Sequence, residues 1–332
     1  MKILSLTLIT LIALVFSACS SKEVFNPDNV KDDWEYYGSI DEQIINVSSS
    51  AALLENRKVL VGSKVLEVKV PESERLLGYS DGWVLSSTID GDLTLQFSAD
   101  KSMQKVFKLK KTIASASIKD DTLAVLFNDN EMAMYSISTQ ALLLKEQGTA
   151  PIVVNSKIVS PHFMDDLVLF FTLDGKVVIV SVAQKKKLRT VIVSSEDYFN
   201  NIIYFKVVDG KIIAATGHKI LSMSEKELRV KFDIRDVIYD NGNIYLTTKQ
   251  GEIVSLTSDL QQNKKVKFPF AHFLGLIATN DKIYALEKEG YIIELSKDLL
   301  EYDIYDVDVE DGYIFVADKV FYVNDEYISA EK

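Results

Sequence analysis

The 332-residue chain holds one cysteine, three histidines, two tryptophans and five prolines, and each scarcity removes a class of protein. The lone Cys19 excludes an internal disulfide framework and any zinc site built on cysteine pairs. The histidines, His162, His218 and His272, lie too far apart for a local ligand motif. Two of them, at a turn and at a junction between repeats, could still share one face of the fold. Basic charge is also short: 37 Lys and Arg against 48 Asp and Glu leave a net charge of −11. That balance repels phosphate backbones and argues against nucleic acid as a partner. The one basic cluster, Lys185-Lys186-Lys187 with Arg189, falls where a solvated strand-connecting turn is expected. A Gly-x-Ser-x-Gly elbow, a phosphate loop and a His-Glu-x-x-His helix are all missing. No catalytic residue can therefore be named, and the chain is expected to be no enzyme and to carry neither metal nor cofactor. The acidic run Asp303, Asp306, Asp308, Glu310 and Asp311 reaches Gly312 only at its end, too late for a calcium loop. Its alternation with Tyr, Ile and Val predicts a strand with one wet, acidic face.

What is present begins with a leader. Met1-Lys2, the apolar run from Ile3 to Phe16 and Ser17-Ala18-Cys19 follow the charged, apolar, small-residue order of a secretory signal. The run is shorter than the roughly 20 apolar residues that span a membrane. Residues 1–18 are assigned to a cleaved signal peptide. Residues 19–50, polar and rich in Ser, Asp, Asn and Glu, are assigned to a modified N-terminus and tether. Residues 51–332 then form the folded domain.

From about residue 55 a unit recurs: turn, strand, tight turn, strand. Asp81-Gly82-Trp83-Val84-Leu85 precedes Asp90-Gly91, Asp165-Asp166-Leu167-Val168-Leu169 precedes Asp174-Gly175, and Asn241-Gly242-Asn243-Ile244-Tyr245 precedes Gln250-Gly251. Asn280-Asp281-Lys282-Ile283-Tyr284 precedes Glu289-Gly290, and in all four the spacing from the second turn residue to the later glycine is nine. Looser copies open at Arg57, Asp120, Asp209 and Asp311. A turn, a five- or six-residue strand and a hairpin turn consume about this many positions. Units of roughly 40 residues with four short strands each predict an all-β β-propeller. Eight units imply eight blades, although the crowded first pair leaves seven open. A ring closed by an N-terminal strand such as 44–48 joining the last blade would fit either count and remove an exposed edge.

Phe16-Ser17-Ala18-Cys19 resembles the bacterial lipobox, with Phe16 where the pattern usually has Leu. The resemblance implies lipid on the Cys19 thiol. With Ser20 following instead of Asp, it further implies an outer-membrane anchor facing the periplasm of a Gram-negative cell. Inner-membrane retention, or plain cleavage near Ala18, is the alternative. The repeats from 55 to 332 resemble the PQQ-like propeller superfamily, and joined to a lipobox they resemble the BamB-like outer-membrane assembly lipoproteins. That likeness implies a non-enzymatic scaffold for envelope proteins, with a BamA-type assembly protein as partner. With only Trp34 and Trp83, the repeated tryptophans of quinone-binding members are missing. Another periplasmic binding propeller, or a cofactor-binding propeller enzyme, remains the alternative. Function is assigned to loops on one face. Within Phe268-Pro269-Phe270-Ala271-His272-Phe273, Phe270 and His272 are the candidate partner contacts, and packing between blades is the competing reading of that segment.

Overall fold

A computed structural model describes residues 23–331, so the leader and Cys19 lie outside the described residues. The described chain forms 32 strands and no helix, in eight sheets of four strands: an eight-bladed β-propeller. Blade 2, residues 75–108, shows the unit. Arg75–Ser80, Trp83–Ser87, Asp92–Phe97 and Gln104–Lys108 pair antiparallel in chain order. They are strands A to D from the channel outward. A strands of neighbouring blades approach one another around the channel, while D strands such as Lys186–Ile192 and Gln262–Lys267 are largely exposed.

The apolar runs follow from this stacking. A sheet covered on both faces needs continuous rather than alternating hydrophobicity, and Thr122–Phe127 is buried at every residue. Eight apolar clusters fill the ring, one between each pair of adjacent blades. The A–B turns Asp81-Gly82 and Asn241-Gly242 place both residues at positive φ, 49° and 82°, then 44° and 86°, the geometry that suits a two-residue hairpin. The later glycine of each unit has a different cause. The Gly251 carbonyl accepts the Phe268 amide at 2.8 Å, and a Cβ on Gly251 would strike the Phe268 carbonyl. Gly91, Gly175 and Gly290 accept the amides of Leu109, Val193 and Val307 in the same way, each at 2.9 Å. The nine-residue spacing thus marks where one blade hands the chain to the next.

The ends of the series differ from the sequence reading. In the last blade Asp318-Lys319, at φ 48° and 65°, is the A–B turn between Ile314–Ala317 and Val320–Val323. In the first blade Gly62 joins strands C and D, Lys58–Val61 and Lys64–Lys69. Both units therefore sit one turn out of register, because short strands flanking a tight turn look alike from either side. Ile44–Val47 is not the closing strand but strand A of blade 1. Closure comes from Tyr37–Ser39, which is strand D of blade 8 and pairs with Glu326–Ser329.

The 19–50 tether is likewise shorter than expected. Phe25 and Trp34 are buried, and the Trp34 indole donates to the Ser329 carbonyl at 3.0 Å. The amides of Lys31 and Trp34 donate to the carbonyls of Ile304 and Asp306 at 2.8 and 2.7 Å, so this strap covers the outer edge of blade 7. Polar composition concealed two aromatics that fill gaps between blades 6 and 7 and between blades 7 and 8. Of the basic cluster, only Lys185 is in the turn. Lys187 and Arg189 lie on strand D of blade 4 and pair with Glu146 and Glu227 on the flanking blades, at 2.7 and 2.5 Å.

Candidate partner-binding face

One end of the ring carries the A–B and C–D turns, and the other carries the B–C turns and the linkers between blades. The linker end exposes Ile89, Ile152, Val153, Tyr198, Phe199, Phe270 and Tyr313, whereas the turn end exposes Met103 and Leu300 among the large apolar residues. Apolar side chains held outward on loops are what a protein-binding surface requires.

Ile152, Val153, Tyr198 and Phe199 come from two neighbouring linkers, 148–161 into blade 4 and 193–203 into blade 5. The linkers are joined by a parallel bridge between Val153 and Tyr198, and the Phe199 amide donates to the Val153 carbonyl at 3.0 Å. Beneath them lie three buried asparagines. Asn130 donates to the Thr149 carbonyl and to Asp174 Oδ1, both at 2.8 Å, and accepts the Leu173 amide at 2.8 Å. Asn200 donates to the carbonyls of Asp174 and Ser194, both at 3.0 Å. Asn201 accepts the Asn155 amide at 2.6 Å and donates to the Lys157 carbonyl at 2.7 Å. A buried amide satisfied on both sides, as those of Asn130 and Asn201 are, fixes backbone that apolar packing alone would leave mobile. Burial opposes ionisation of Asp174, but Lys176, Thr172 and Asn130 outweigh it and hold the carboxyl below its usual range.

The first linker also dips into the channel. Lys157 reaches Asp236 of blade 6 at 2.7 Å, Ser160 meets Ser49 of blade 1 at 3.2 Å, and Ser117 of blade 3 donates to the Pro161 carbonyl at 2.6 Å. Strand A of blade 4 is consequently cut to His162–Met164. The result is a rigid floor beneath the exposed Ile152, Val153, Tyr198 and Phe199, which are 68%, 40%, 54% and 44% accessible. Sequence reasoning missed these residues. The one available signal was the wide interval between the tight turns at 130 and 175, with prolines 151 and 161 inside it.

The segment singled out in the sequence divides between its two readings. Phe268, Ala271 and Phe273 are buried between blades 6 and 7, while Phe270 is 58% exposed. His272 Nε2 lies 2.8 Å from Arg235 Nη1, and its amide donates to Glu287 Oε1 at 2.7 Å. Phe270 thus stands on the linker face, and the His272 ring is engaged by a neighbour. His218 is on the same face, its Nε2 2.9 Å from the Tyr198 carbonyl, so the two rings serve separate linkers. His162 instead lines an open cleft of about 330 Å³ with Ser80, Asp81, Ser117 and Lys119, where burial and Lys119 lower its pKa. The hydroxyls of Ser80 and Ser117 donate there to backbone carbonyls rather than to a base.

The acidic run is only partly a strand. Tyr302–Asp306 is strand D of blade 7, and the rest belongs to the linker towards blade 8. Asp303 pairs with Lys31 at 2.8 Å and Asp311 with Lys288 at 3.2 Å. Among the described residues no group of three or more His, Cys, Asp or Glu is placed to hold a metal.

The KIB1-4 beta-propeller family model matches residues 47–321. Plasminogen-binding protein PgbB of Helicobacter pylori strain J99 is 30% identical over 321 residues, which cover 82% of this chain and 59% of PgbB. PgbB of strain 26695 is 30% identical over 309 residues, covering 79% and 57%. The chain therefore spans less than two thirds of these curated relatives. Among solved structures, BamB from Moraxella catarrhalis superimposes with a TM-score of 0.69 at 13% identity, over 89% of this chain and 98% of BamB. At that identity the likeness is one of fold.

Proposed function

The chain belongs to the KIB1-4 β-propeller family, and from that premise we propose that it is a non-catalytic binding protein of the bacterial envelope, exported by its leader and lipidated at Cys19. The outer membrane is its proposed site. The observation that carries the binding role is the pair of linkers presenting Ile152, Val153, Tyr198 and Phe199 on buried asparagines. Because the loops are ordered on folding, little entropy remains to be lost on association. Aromatic anchors on a stiff support are the usual centre of a protein interface.

Two proteins serve as probes. Plasminogen is the first, because relatives at 30% identity are named for binding it. A BamA-type assembly protein is the second, in keeping with the lipobox-like leader and the propeller that follows it. Binding of plasminogen by intact cells supports a surface-facing ring, and binding only after permeabilisation supports a periplasmic one. The decisive variant is Ile152→Ala with Tyr198→Ala. Loss of a central aromatic anchor is expected to cost about 2 kcal/mol, roughly thirtyfold in Kd. The melting temperature should stay the same, since both side chains are exposed. Unchanged affinity for a partner that the wild type binds would place the contact elsewhere. Labelled palmitate should enter the wild type and not Cys19→Ser, and equal labelling would overturn the anchor.

A further inference from the structure

The strap fixes where the chain leaves the ring, and therefore where a lipid on Cys19 must lie. Phe25 is buried between blades 6 and 7, edge-on to Phe268 at 6.1 Å and to Tyr291 at 5.5 Å. Phe268 in turn packs edge-on against Tyr302 at 5.0 Å. Phe25 is only six positions beyond Cys19. A fully extended chain gains about 3.3–3.6 Å per residue, so the span reaches roughly 20 Å at most. A folded chain of this length has a radius of gyration of about 20 Å, so the reach is well below the breadth of the ring. A lipid at Cys19 therefore keeps blades 6 and 7, and not the far side of the ring, next to the bilayer.

That rim has the chemistry for such a surface. Val24, Val30, Phe270, Leu300 and Tyr302 are all exposed around the strap. Beside them strand D of blade 6, Gln262–Lys267, carries Lys264, Lys265 and Lys267 in a chain whose net charge is −11. Lys265 pairs with Glu252 at 2.8 Å, while Lys264 and Lys267 make no ion pair among the described residues. The strap itself carries Glu23, Asp28, Asp32, Asp33 and Glu35 against Lys31, so charge does not select an anionic surface, and the match to a lipid headgroup region lies in the exposed aromatic and aliphatic side chains.

We infer that the outer rim of blades 6 and 7 rests on a membrane surface with the ring standing on edge, so that Phe270 at the linker end and Leu300 and Tyr302 towards the turn end all reach the headgroup region. The inference rests on the proposed lipidation of Cys19. It leaves the Ile152 and Tyr198 patch of blades 4 and 5 in water, since that patch lies further round the ring.

Cys19 is the sole cysteine, so in acylated protein an introduced cysteine is the only free thiol. Full-length acylated protein carrying Phe270→Cys, Leu300→Cys or, on the strap, Val30→Cys is spin-labelled and reconstituted into vesicles of phosphatidylethanolamine and phosphatidylglycerol. Val106→Cys, on strand D of blade 2 across the ring, is the control. Rim labels should collide several-fold less with a water-soluble nickel complex and more with oxygen than the Val106→Cys label does. Equal access at rim and control positions in acylated protein overturns the rim contact and leaves the anchor standing. Shielding from nickel and oxygen alike signifies a protein surface and also overturns it. An intact mass without acyl chains overturns the anchor, and the rim contact with it.

Discussion

Blades 2 and 3 meet through Leu77, Leu85, Leu93, Leu95 and Phe107 on one side and Ile113, Ile118, Leu123, Val125 and Phe127 on the other. Blades 8 and 1 meet through Ile44, Ala52, Leu54, Leu60, Phe315 and Tyr322. The first interface joins segments adjacent in sequence. The second joins the two ends of the described chain, so a smaller apolar cluster must also offset a long loop closure. The carboxylates differ in the same sense. Burial works against Glu131 of blade 3, but Lys111 and Lys145, both at 2.8 Å, hold its pKa below the usual range. Glu326 of blade 8 has its pKa raised, first by burial and then by Asp308, Asp325 and Glu310. The seam is thus smaller, the last blade carries its own acidic repulsion beside it, and the strap reinforces that blade. Trp34 fills the adjoining interface against Tyr284 and Tyr305, at ring distances of 5.8 and 5.0 Å, and Tyr37–Ser39 supplies the missing fourth strand. A ring built from nearly equal units still has one weak joint, where the chain has to find its own beginning.

The largest expected effect lies in the stronger interface. Phe127→Ala removes one of the largest fully buried side chains and is expected to cost about 3–5 kcal/mol in denaturant-induced unfolding. A cost below about 1 kcal/mol would mean that the stacked blades relax around cavities as ordinary cores do not. Trp34→Ala should cost about 3 kcal/mol, the low end for a buried tryptophan. Its loss should appear first as faster amide exchange in 314–329, before blades 2 and 3 respond. Uniform loss of protection around the ring would contradict a localised seam.

The smallest effect is electrostatic. Where Glu326 has a raised pKa, the folded state holds its proton at pH values at which the unfolded chain has already released it. Stability therefore falls as pH rises from the ordinary glutamate value of 4.5 through the raised folded value. Above that window the charged carboxylate remains a burden, so Glu326→Gln should raise the melting temperature slightly at neutral pH and flatten its decline above pH 4.5. A lower melting temperature for this variant at neutral pH would show that the carboxylate is stabilised by its neighbours instead.

The propeller was legible because its cause is local and repeated. The Asp-Gly and Asn-Gly pairs write their turns directly, and the later glycines are forced by the close passage of the next linker. The end units slipped by one turn because register depends on which strand lies inside, and that is set by the ring and not by the pair of strands. Phe270 was legible as an aromatic at a blade junction, yet only packing separates its exposed ring from the buried Phe268 two positions earlier. The linkers 148–161 and 193–203 gave almost no sign, since Asn130, Asn200 and Asn201 read as ordinary turn residues until the fold buries them under chain 19 to 46 positions away.

Alternating turn signals and continuous apolar strands, being short-range, thus determined by themselves that this chain would be a ring of four-stranded β units with an acidic surface. The tertiary structure alone decided that Tyr37–Ser39 closes the ring, that Phe25 and Trp34 belong to its core, and that two linkers stand rigid on one face. Each of these depends on surfaces that exist only after distant segments have met. An aromatic in a polar stretch has no assigned burial until another blade supplies the groove, and a linker has no fixed shape until the channel gives its polar atoms partners.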